Sequence, residues 1–154
     1  MIKNIVKASL LLAVITVMMG ACSKDDKPGD PPVPSGGKSM KLTITTTGLL
    51  AGDHLTMNVA GSTISGTAKT LYKLNNITQE NQPAFNVDQA KLAAGPVVIE
   101  SVVPLFLTAV SLGGFSAPGH SFTVKIIPVI DGKEQAAVSK AFTTQASSQT
   151  YRFE

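Results

Sequence analysis

The chain has no tryptophan, a single cysteine and only two histidines among its 154 residues. One cysteine excludes a disulfide framework, so a folded domain here depends on its hydrophobic core. The lack of tryptophan argues against a glycan site built on stacked aromatic rings, and tyrosine occurs only twice. Charged residues make up 15% of the chain, which leaves few groups for acid–base chemistry.

A large excess of charge of one sign is also missing. The chain has 13 basic and 10 acidic residues, for a formal net charge of +3. Two of the basic residues, Lys3 and Lys7, lie close to the N-terminus. Without these two, the chain has 11 basic and 10 acidic residues. Such a balance predicts no nucleic-acid partner and no electrostatic binding to a membrane surface.

The first 21 residues have the three-part layout of a secretory signal. Lys3 and Lys7 supply a short positive start, and residues 8–19 (ASLLLAVITVMM) form an uncharged apolar run. This run is too short to cross a bilayer, since a spanning helix needs about 20 residues. The small residues Gly20 and Ala21 follow, as they do before a signal cleavage site.

The only cysteine, Cys22, comes directly after these small residues. Residues 19–22 (MGAC) resemble the lipobox of bacterial lipoproteins, with Met19 where Leu, Val or Ile is commoner. The resemblance implies a diacylglycerol thioether on Cys22, cleavage just before it, and acylation of the new amine. Residues 1–21 would then be a removed signal peptide, and the membrane would be a partner through the lipid anchor. The alternatives are an uncleaved N-terminal membrane helix and a chain without a leader that buries Cys22.

Residues 23–27 (SKDDK) are similar to the Lys-Asp-Asp type of export tag that some Gram-negative lipoproteins carry. The similarity implies an outer-membrane protein exposed on the cell surface, with the periplasmic face as the alternative. The whole stretch 22–39 is rich in proline, glycine and charge, and Val33 is almost its only apolar side chain. Such a composition predicts a disordered, lipidated tether.

Residues 40–154 are predicted to form one all-β domain. Strand-forming residues alternate with polar ones at period two, and turn residues interrupt them every 8–12 positions. The predicted strands lie at 42–45, 55–59, 70–74, 96–103, 105–111, 121–130, 135–143 and 151–153, with 84–87 as a weaker addition. About seven to eight strands of this length predict a two-sheet Greek-key β-sandwich. The layout resembles immunoglobulin-like or transthyretin-like modules, without the Cys…Trp…Cys pattern of immunoglobulin domains.

Three local features refine this prediction. Asp131-Gly132 is the strongest hairpin signal in the chain. Residues 87–94 suit one or two helical turns, with Asp88 as the cap and Gly95 as the stop. The runs 96–103 and 105–111 are the most apolar, so we expect core strands that are buried on both faces.

No constellation of catalytic residues emerges from the sequence. His54 and His120 each adjoin a turn and suit solvated positions at the start of a strand; nothing in the sequence supports a cluster of the two with Asp53. Residues 114–118 (GFSAP) resemble the nucleophile elbow of α/β-hydrolases but lack its second glycine and its helix. Glu100 lies in an apolar strand, where we expect it to point outward. We therefore predict neither an enzyme nor a metal or cofactor site.

Binding is the remaining class of function, and loops at one end of a sandwich are its usual location. The loop 75–83 (NNITQENQP) is rich in amides and is the preferred candidate, and the loop 111–119 is the second. The candidate residues are Asn75, Asn76, Gln79, Glu80, Asn81, Gln82 and, at the tip of the second loop, Phe115. Taken with the anchor, they predict a non-catalytic surface lipoprotein that binds a protein or an extracellular glycan. The alternative is an accessory lipoprotein of an outer-membrane complex, whose partner is another envelope protein.

Overall fold

The computed structural model describes residues 36–154. The predicted signal peptide, Cys22 and all of the predicted tether before Gly36 lie outside the described residues. Within the described part of the chain, no helix combines the length and apolar character needed to cross a membrane.

The described residues form two antiparallel sheets packed face to face, which confirms the predicted all-β sandwich. The elements are β1 (Met40–Thr47), β2 (His54–Ser62), β3 (Tyr72–Leu74), β4 (Ile77–Thr78), β5 (Ala84–Val87), α1 (Gln89–Ala94), β6 (Val97–Ser101), β7 (Leu107–Phe115), β8 (Phe122–Ile130), β9 (Lys133–Glu134), β10 (Val138–Phe142) and β11 (Ser147–Phe153).

The larger sheet has the strand order β10-β8-β1-β6-β3-β4, with β9 also paired to β8, and the smaller sheet has the order β11-β7-β2-β5. Most connections cross from one sheet to the other, and only β3–β4 and β8–β9 are tight hairpins. Residues 36–154 contain eleven strands rather than seven or eight, because the weaker candidate 84–87 forms β5 and the two-residue segments β4 and β9 are additional. Within the predicted strand 135–143, only Val138–Phe142 forms a strand, β10.

The core lies between the sheets and is built by alternation along each strand. In β7 the side chains of Thr108, Val110 and Leu112 are buried, whereas those of Ala109 and Ser111 between them are partly exposed. The prediction that this run and the run 96–103 are buried on both faces is therefore wrong. Each sheet of a two-layer sandwich has one covered face, so the outward positions hold small residues instead of large apolar ones.

The hairpin predicted at Asp131-Gly132 joins β8 to β9, and both residues have positive φ angles, 49° and 74°. Pro128 sits in β8, where its carbonyl accepts a hydrogen bond from Gln135. The backbone nitrogen of Pro128, which carries no hydrogen, faces the same side of β8. On that side the pairing of β8 is interrupted between Glu134 of β9 and Val138 of β10. An internal strand tolerates proline at such a break in the ladder.

The predicted short helix is present as α1. Asp88 occupies the N-cap position with an extended backbone, and Gly95 follows the last turn with φ 149°. Leu92 is the buried residue of this helix, and its carbonyl accepts a hydrogen bond from the Thr46 hydroxyl at 2.8 Å. These two contacts hold α1 against the end of β1.

The folded domain begins before the predicted boundary at Met40. Lys38 pairs with Leu105 through two backbone hydrogen bonds, of 2.7 and 2.9 Å. Gly37 packs so closely on this segment that a Cβ atom there would lie 2.7 Å from the Pro104 carbonyl carbon. Residues 37–39, which the composition placed in the tether, are thus part of the sandwich.

Tyr72 crosses the core from the larger sheet to the smaller one. Its hydroxyl shares a buried hydrogen bond of 2.9 Å with the Thr108 hydroxyl on β7. Burial raises the pKa of Tyr72 to about 12, although the bond to Thr108 acts in the opposite direction.

Replacing Tyr72 with phenylalanine is expected to lower the free energy of unfolding by about 1–3 kcal/mol, because the Thr108 hydroxyl would stay buried without a partner. Equilibrium denaturation in urea measures the loss. Tyr151→Phe is the matched control, since its hydroxyl donates to the Ser139 carbonyl at an exposed position. Equal losses in the two variants would contradict a special contribution from the buried pair.

Candidate functional site

The most elaborate polar arrangement in the described chain lies where the β1–β2 turn meets the β7–β8 loop. Asp53 closes the turn: its N–H donates to the Leu50 carbonyl at 3.1 Å, and its Oδ2 accepts from the Leu50 N–H at 2.8 Å. Its Oδ1 accepts from the Ala117 N–H at 2.8 Å, across to the other loop. The Asp53 carboxylate is inaccessible to solvent. We call residues 48–54 and 115–121 the Asp53 loop cluster.

His120 completes the contact between these loops. Its Nε2 lies 2.8 Å from Oδ1 of Asp53, so the two form an ion pair when the imidazole is protonated. The N–H direction is not aligned on the carboxylate, and the contact is therefore a close approach rather than a linear hydrogen bond. His120 is only 24% exposed, which differs from the solvated position predicted for it.

The pKa of Asp53 reflects these neighbours. Burial raises the pKa of Asp53. The N–H groups of Leu50 and Ala117 and the adjacent His120 lower this pKa, and together they outweigh the effect of burial. The net pKa lies below the ordinary value of 3.8. The carboxylate is thus held in its charged form as part of the fold.

The sequence did not indicate the structural roles of two further residues of the site. Gln89, at the start of α1, accepts from the Leu55 N–H at 2.8 Å and donates to the Asp53 carbonyl at 3.0 Å. Ser116 is buried, and its hydroxyl donates to the backbone carbonyl of His120 at 2.8 Å. Both residue types are common on surfaces, so only their three-dimensional neighbours reveal their roles.

Serine, histidine and aspartate meet in this cluster without forming a catalytic triad. In a triad the serine hydroxyl bonds to the imidazole ring, and the ring is oriented by the aspartate. Here the hydroxyl of Ser116 is directed to the His120 carbonyl instead. Residues 114–118 also lack the strand–turn–helix arrangement of a nucleophile elbow, because β8 rather than a helix follows the loop.

His54 and Phe115 form the exposed part of the site. They are cross-strand partners at the ends of β2 and β7, and their rings stack with centroids 5.3 Å apart. Phe115 is 41% exposed, and Leu50 in the neighbouring turn is 57% exposed. The structure therefore brings Asp53 and His120 together, whereas His54 faces Phe115.

The loop 75–83 is not one flexible connection. Asn75 and Asn76 form the tight β3–β4 turn, with φ angles of 47° and 65°. The Oδ1 of Asn75 accepts from the Val98 N–H at 2.7 Å, and its own N–H donates to the Val98 carbonyl at 2.8 Å. Asn75 is therefore committed to holding the turn on β6.

The second half of this loop folds on itself. Gln79 donates from its N–H to the Tyr72 carbonyl and from Nε2 to the Ile77 carbonyl. Thr70 accepts from the Asn81 N–H at 2.9 Å and donates to Glu80 at 3.2 Å. The N–H of Gln82 donates to the Gln79 carbonyl at 3.4 Å, and Asn81 has a positive φ of 56°.

The two predicted binding loops lie apart in the fold. The Pro83 carbonyl, after the first loop, accepts from the Gly61 N–H. Phe115 pairs with His54 at the other end of the same strand. Gly61 is seven positions along the strand from His54, which corresponds to about 23 Å at the usual rise. Residues 79–82 and Phe115 therefore do not share one surface.

Glu100 points outward, as predicted, but from an interior strand of the larger sheet. It faces Lys41 on β1 and forms a 2.9 Å ion pair with it, in which both side chains are partly exposed. Within residues 36–154, no three His, Cys, Asp or Glu side chains are grouped so that they could hold a metal ion.

Replacing Asp53 with asparagine is expected to lower the midpoint of thermal unfolding on the order of 5 °C at pH 7. An amide nitrogen would face the N–H of either Leu50 or Ala117, which leaves a buried donor unpaired. Asp88→Asn is the matched control, since Asp88 is exposed and only pairs with Lys91 at 3.5 Å. A loss no larger than that of the control would contradict a structural role for the carboxylate.

The same variant should change the pH dependence of stability. Because the pKa of Asp53 is depressed in the folded state, its charged form stabilises the fold above the unfolded pKa, and this contribution is lost as the pH falls through the folded pKa. Unfolding measured between pH 7 and pH 2 should show wild type and Asp53→Asn converging below about pH 4. A constant difference across this range would contradict the assignment.

Comparisons with known proteins support the fold. No protein-family model matches this chain, and no curated protein matches it in sequence. Among solved structures it is similar to a DUF4425 family protein from Bacteroides ovatus ATCC 8483, with 10% identity and a TM-score of 0.57 over 76% of this chain and 94% of that one. It is also similar to the calcium-bound form of a protein from Parabacteroides distasonis, with 16% identity and a TM-score of 0.56 over 82% and 99% of the two chains. A DUF4425 domain from Bacteroides vulgatus ATCC 8482 gives 14% identity and a TM-score of 0.55 over 75% and 93%. At these identities the chain shares their fold.

Proposed function

We propose that this chain is a lipid-anchored protein of the outer membrane, exposed on the cell surface, that acts by binding rather than by catalysis. Its Asp53 loop cluster lies on the side away from the membrane, and its ligand is an extracellular molecule. The N-terminal pattern that ends at Cys22 supports the anchor. The sandwich and its loops support the binding role.

The observation that carries the proposal is the opposite placement of the chain's entry and the Asp53 loop cluster. The chain enters the sandwich where Lys38 pairs with Leu105, immediately before β1. It then runs the eight residues of β1 and reaches the cluster at Gly48. This strand is about 27 Å long at the usual rise. A tether that enters at the first end does not cover the second end, which supports a cluster accessible to an extracellular ligand.

The geometry of the cluster favours binding over chemistry. The carboxylate of Asp53 and the hydroxyl of Ser116 are both engaged in hydrogen bonds that hold the loops. The largest side chains left exposed there are those of Leu50, His54 and Phe115, beside the smaller Ala51, Pro118 and Ser121. Rigid loops with exposed aromatic and aliphatic tips suit recognition of a partner.

Calcium is bound in one of the similar structures, and this cluster is the place to test for it here. A calcium ion takes six to eight oxygen ligands. Both carboxylate oxygens of Asp53 already accept backbone N–H groups, and the neighbouring titratable group is the imidazole of His120. These residues do not fit a calcium site as they are arranged, and we propose binding without the ion.

Single-cysteine labelling tests the proposed orientation, because Cys22 is the only native cysteine and acylation would block its thiol. In a Leu50→Cys variant we expect a membrane-impermeant maleimide to label intact cells. Lys133→Cys, at the opposite end of the sandwich, is a matched exposed position. Labelling of Leu50→Cys only after the outer membrane is permeabilised would favour the periplasmic face and contradict surface exposure.

A photoactivatable crosslinker on the same thiols addresses the binding role. We expect capture of extracellular material from Leu50→Cys and not from Lys133→Cys. Stoichiometric capture of one envelope protein at either position would instead favour an accessory lipoprotein of an outer-membrane complex.

A further inference from the structure

The outward face of the smaller sheet is unusual in having almost no large side chains. Its rows follow from the strand register: Ser148–Gly113–Thr56, then Thr150–Ser111–Asn58–Asn86, then Arg152–Ala109–Ala60–Ala84. These positions are exposed or half-exposed, whereas their neighbours along β5 and β7, and Leu55, Met57 and Val59 on β2, are buried. On β11 only Phe153 is buried. The face is therefore polar and small rather than apolar.

The middle of this face forms a shallow trough along β7. Ala109, Ser111 and Gly113 are the outward residues there, and each has a longer or equal side chain beside it on β2 and β11. We call this surface the outer trough. Along β7 from Ala109 to Phe115 it is about 20 Å long, and the flanking strands β11 and β2 lie about 10 Å apart. These dimensions match an extended chain lying along the strand direction.

Hydrogen-bonding groups line the trough at its centre. The hydroxyls of Ser111 and Thr150 lie 2.9 Å apart, and Thr56 donates to the Gly113 carbonyl at 3.1 Å. The amides of Asn58 and Asn86 are exposed on adjacent strands. Amides and hydroxyls each both donate and accept hydrogen bonds, as hydroxyl groups of a ligand require.

The trough ends at the stacked rings of His54 and Phe115. Both side chains point to the same outward face, because they continue the alternation of β2 and β7. Phe115 is 41% exposed, and the part of its ring that His54 leaves open offers an apolar surface for the C–H face of a sugar. The sequence lacks tryptophan, but the fold assembles an aromatic platform from two residues that are far apart along the chain.

A groove of about 350 Å³ opens beside the trough, between β2 and the start of α1. Thr56, Asn58, Asn86, Asp88 and Gln89 contribute its polar lining. This volume lies at the lower end of the range for small-ligand sites. A side branch or a single ring of a ligand bound in the trough would reach this groove.

The charge of the face selects among ligands. Its central rows are uncharged, with Arg152 at one corner and Asp88 at the edge of the groove. An uncharged ligand therefore matches it better than a polyanion or a basic peptide. A protein partner is also disfavoured, because interface hot spots need large apolar or aromatic anchors at the centre, and the centre here is Gly, Ala and Ser.

We propose that the outer trough binds a neutral glycan chain, with its hydroxyls on the Asn58–Ser111 row and one ring against the His54–Phe115 pair. This inference rests on the proposed binding function and assigns its ligand class. The groups that recognise the glycan are hydrogen-bonding side chains first and the aromatic pair second.

The test uses the full-length lipoprotein in nanodiscs and biolayer interferometry against immobilised soluble polysaccharides: a mannan, a β-glucan, a galactan and, as the anionic comparison, polygalacturonate. We expect at least one neutral polymer to bind. Asn58→Ala and Phe115→Ala should each weaken that binding about tenfold, the effect of losing one well-placed contact. Thr45→Ala, an outward position on the other sheet, is the matched control and should bind like wild type.

Three outcomes would overturn the inference: no binding to any neutral polymer, binding to polygalacturonate alone, or equal binding by wild type, Asn58→Ala and Phe115→Ala. None of these would disturb the proposed surface location, which the labelling of Leu50→Cys measures independently. If the crosslinker at Leu50→Cys captures an extracellular protein and no polysaccharide binds, the proposed binding function stands and the proposed glycan ligand is wrong.

Discussion

Replacing Gly61 with alanine is expected to lower the free energy of unfolding by about 3 kcal/mol. Gly61 is an inward-facing position of β2, opposite Thr108, and the Tyr72 ring fills the space that its missing side chain leaves. A Cβ atom there would overlap the Tyr72 hydroxyl and crowd its ring, and it would lie 3.2 Å from the Leu107 carbonyl oxygen. Overpacking of a core costs about 1–3 kcal/mol, and displacing the hydroxyl also breaks its buried bond to Thr108.

Equilibrium denaturation in urea measures this loss, and two further variants isolate its cause. Gly52→Ala is the control, because a Cβ at Gly52 makes only an ordinary contact of 3.7 Å with Ala117. It should leave stability unchanged or slightly raised. In a Tyr72→Phe background Gly61→Ala should cost less, since the most severe overlap is with the hydroxyl. Equal costs in both backgrounds would show that the ring does not occupy this space.

Local sequence signals correctly predicted the turns, helix ends and strands whose conformation depends on neighbouring residues in the chain. The Asp131-Gly132 hairpin follows from two residues that tolerate positive φ, and α1 follows from Asp88 and Gly95 at its ends. Period-two alternation located β1, β2 and β8 because each has one covered face. The same reasoning failed for β7, where a run of small and apolar residues looked fully buried although its alternate positions face outward.

The candidate site could not be predicted because its contacts are distant along the chain. Asp53 and Ala117 are 64 residues apart, and nothing near either residue indicates the other. The outer trough depends on strand register, since Asn58, Ser111 and Thr150 form a row only when β2, β7 and β11 are aligned. Polar composition indicated the loop 75–83, but the side-chain amides of Asn75 and Gln79 bond to the backbone of Val98 and Ile77 and so hold the turn.

Replacing Cys22 with alanine is expected to move the protein from the membrane fraction to the soluble fraction almost completely and to abolish palmitate incorporation. Each buried methylene of an acyl chain contributes about 0.8 kcal/mol, and one chain gives only marginal, reversible binding. The lipobox-like pattern implies three chains on this one residue, which would hold the protein to the membrane without any spanning segment. Without residues 1–21 the chain would have 11 basic and 10 acidic residues, and so no charge excess that could retain it electrostatically.

Ser23→Ala is the matched control, because it changes the adjacent residue and leaves the thiol in place. It should stay in the membrane fraction and incorporate palmitate like wild type. If Cys22→Ala remains in the membrane after a carbonate wash and wild type incorporates no palmitate, the apolar run 8–19 acts as an uncleaved anchor and the lipid attachment is wrong. If the released Cys22→Ala protein binds the same polysaccharide as wild type, membrane anchoring and glycan binding are separate properties, as expected for an outer trough formed by residues of β2, β5, β7 and β11 alone.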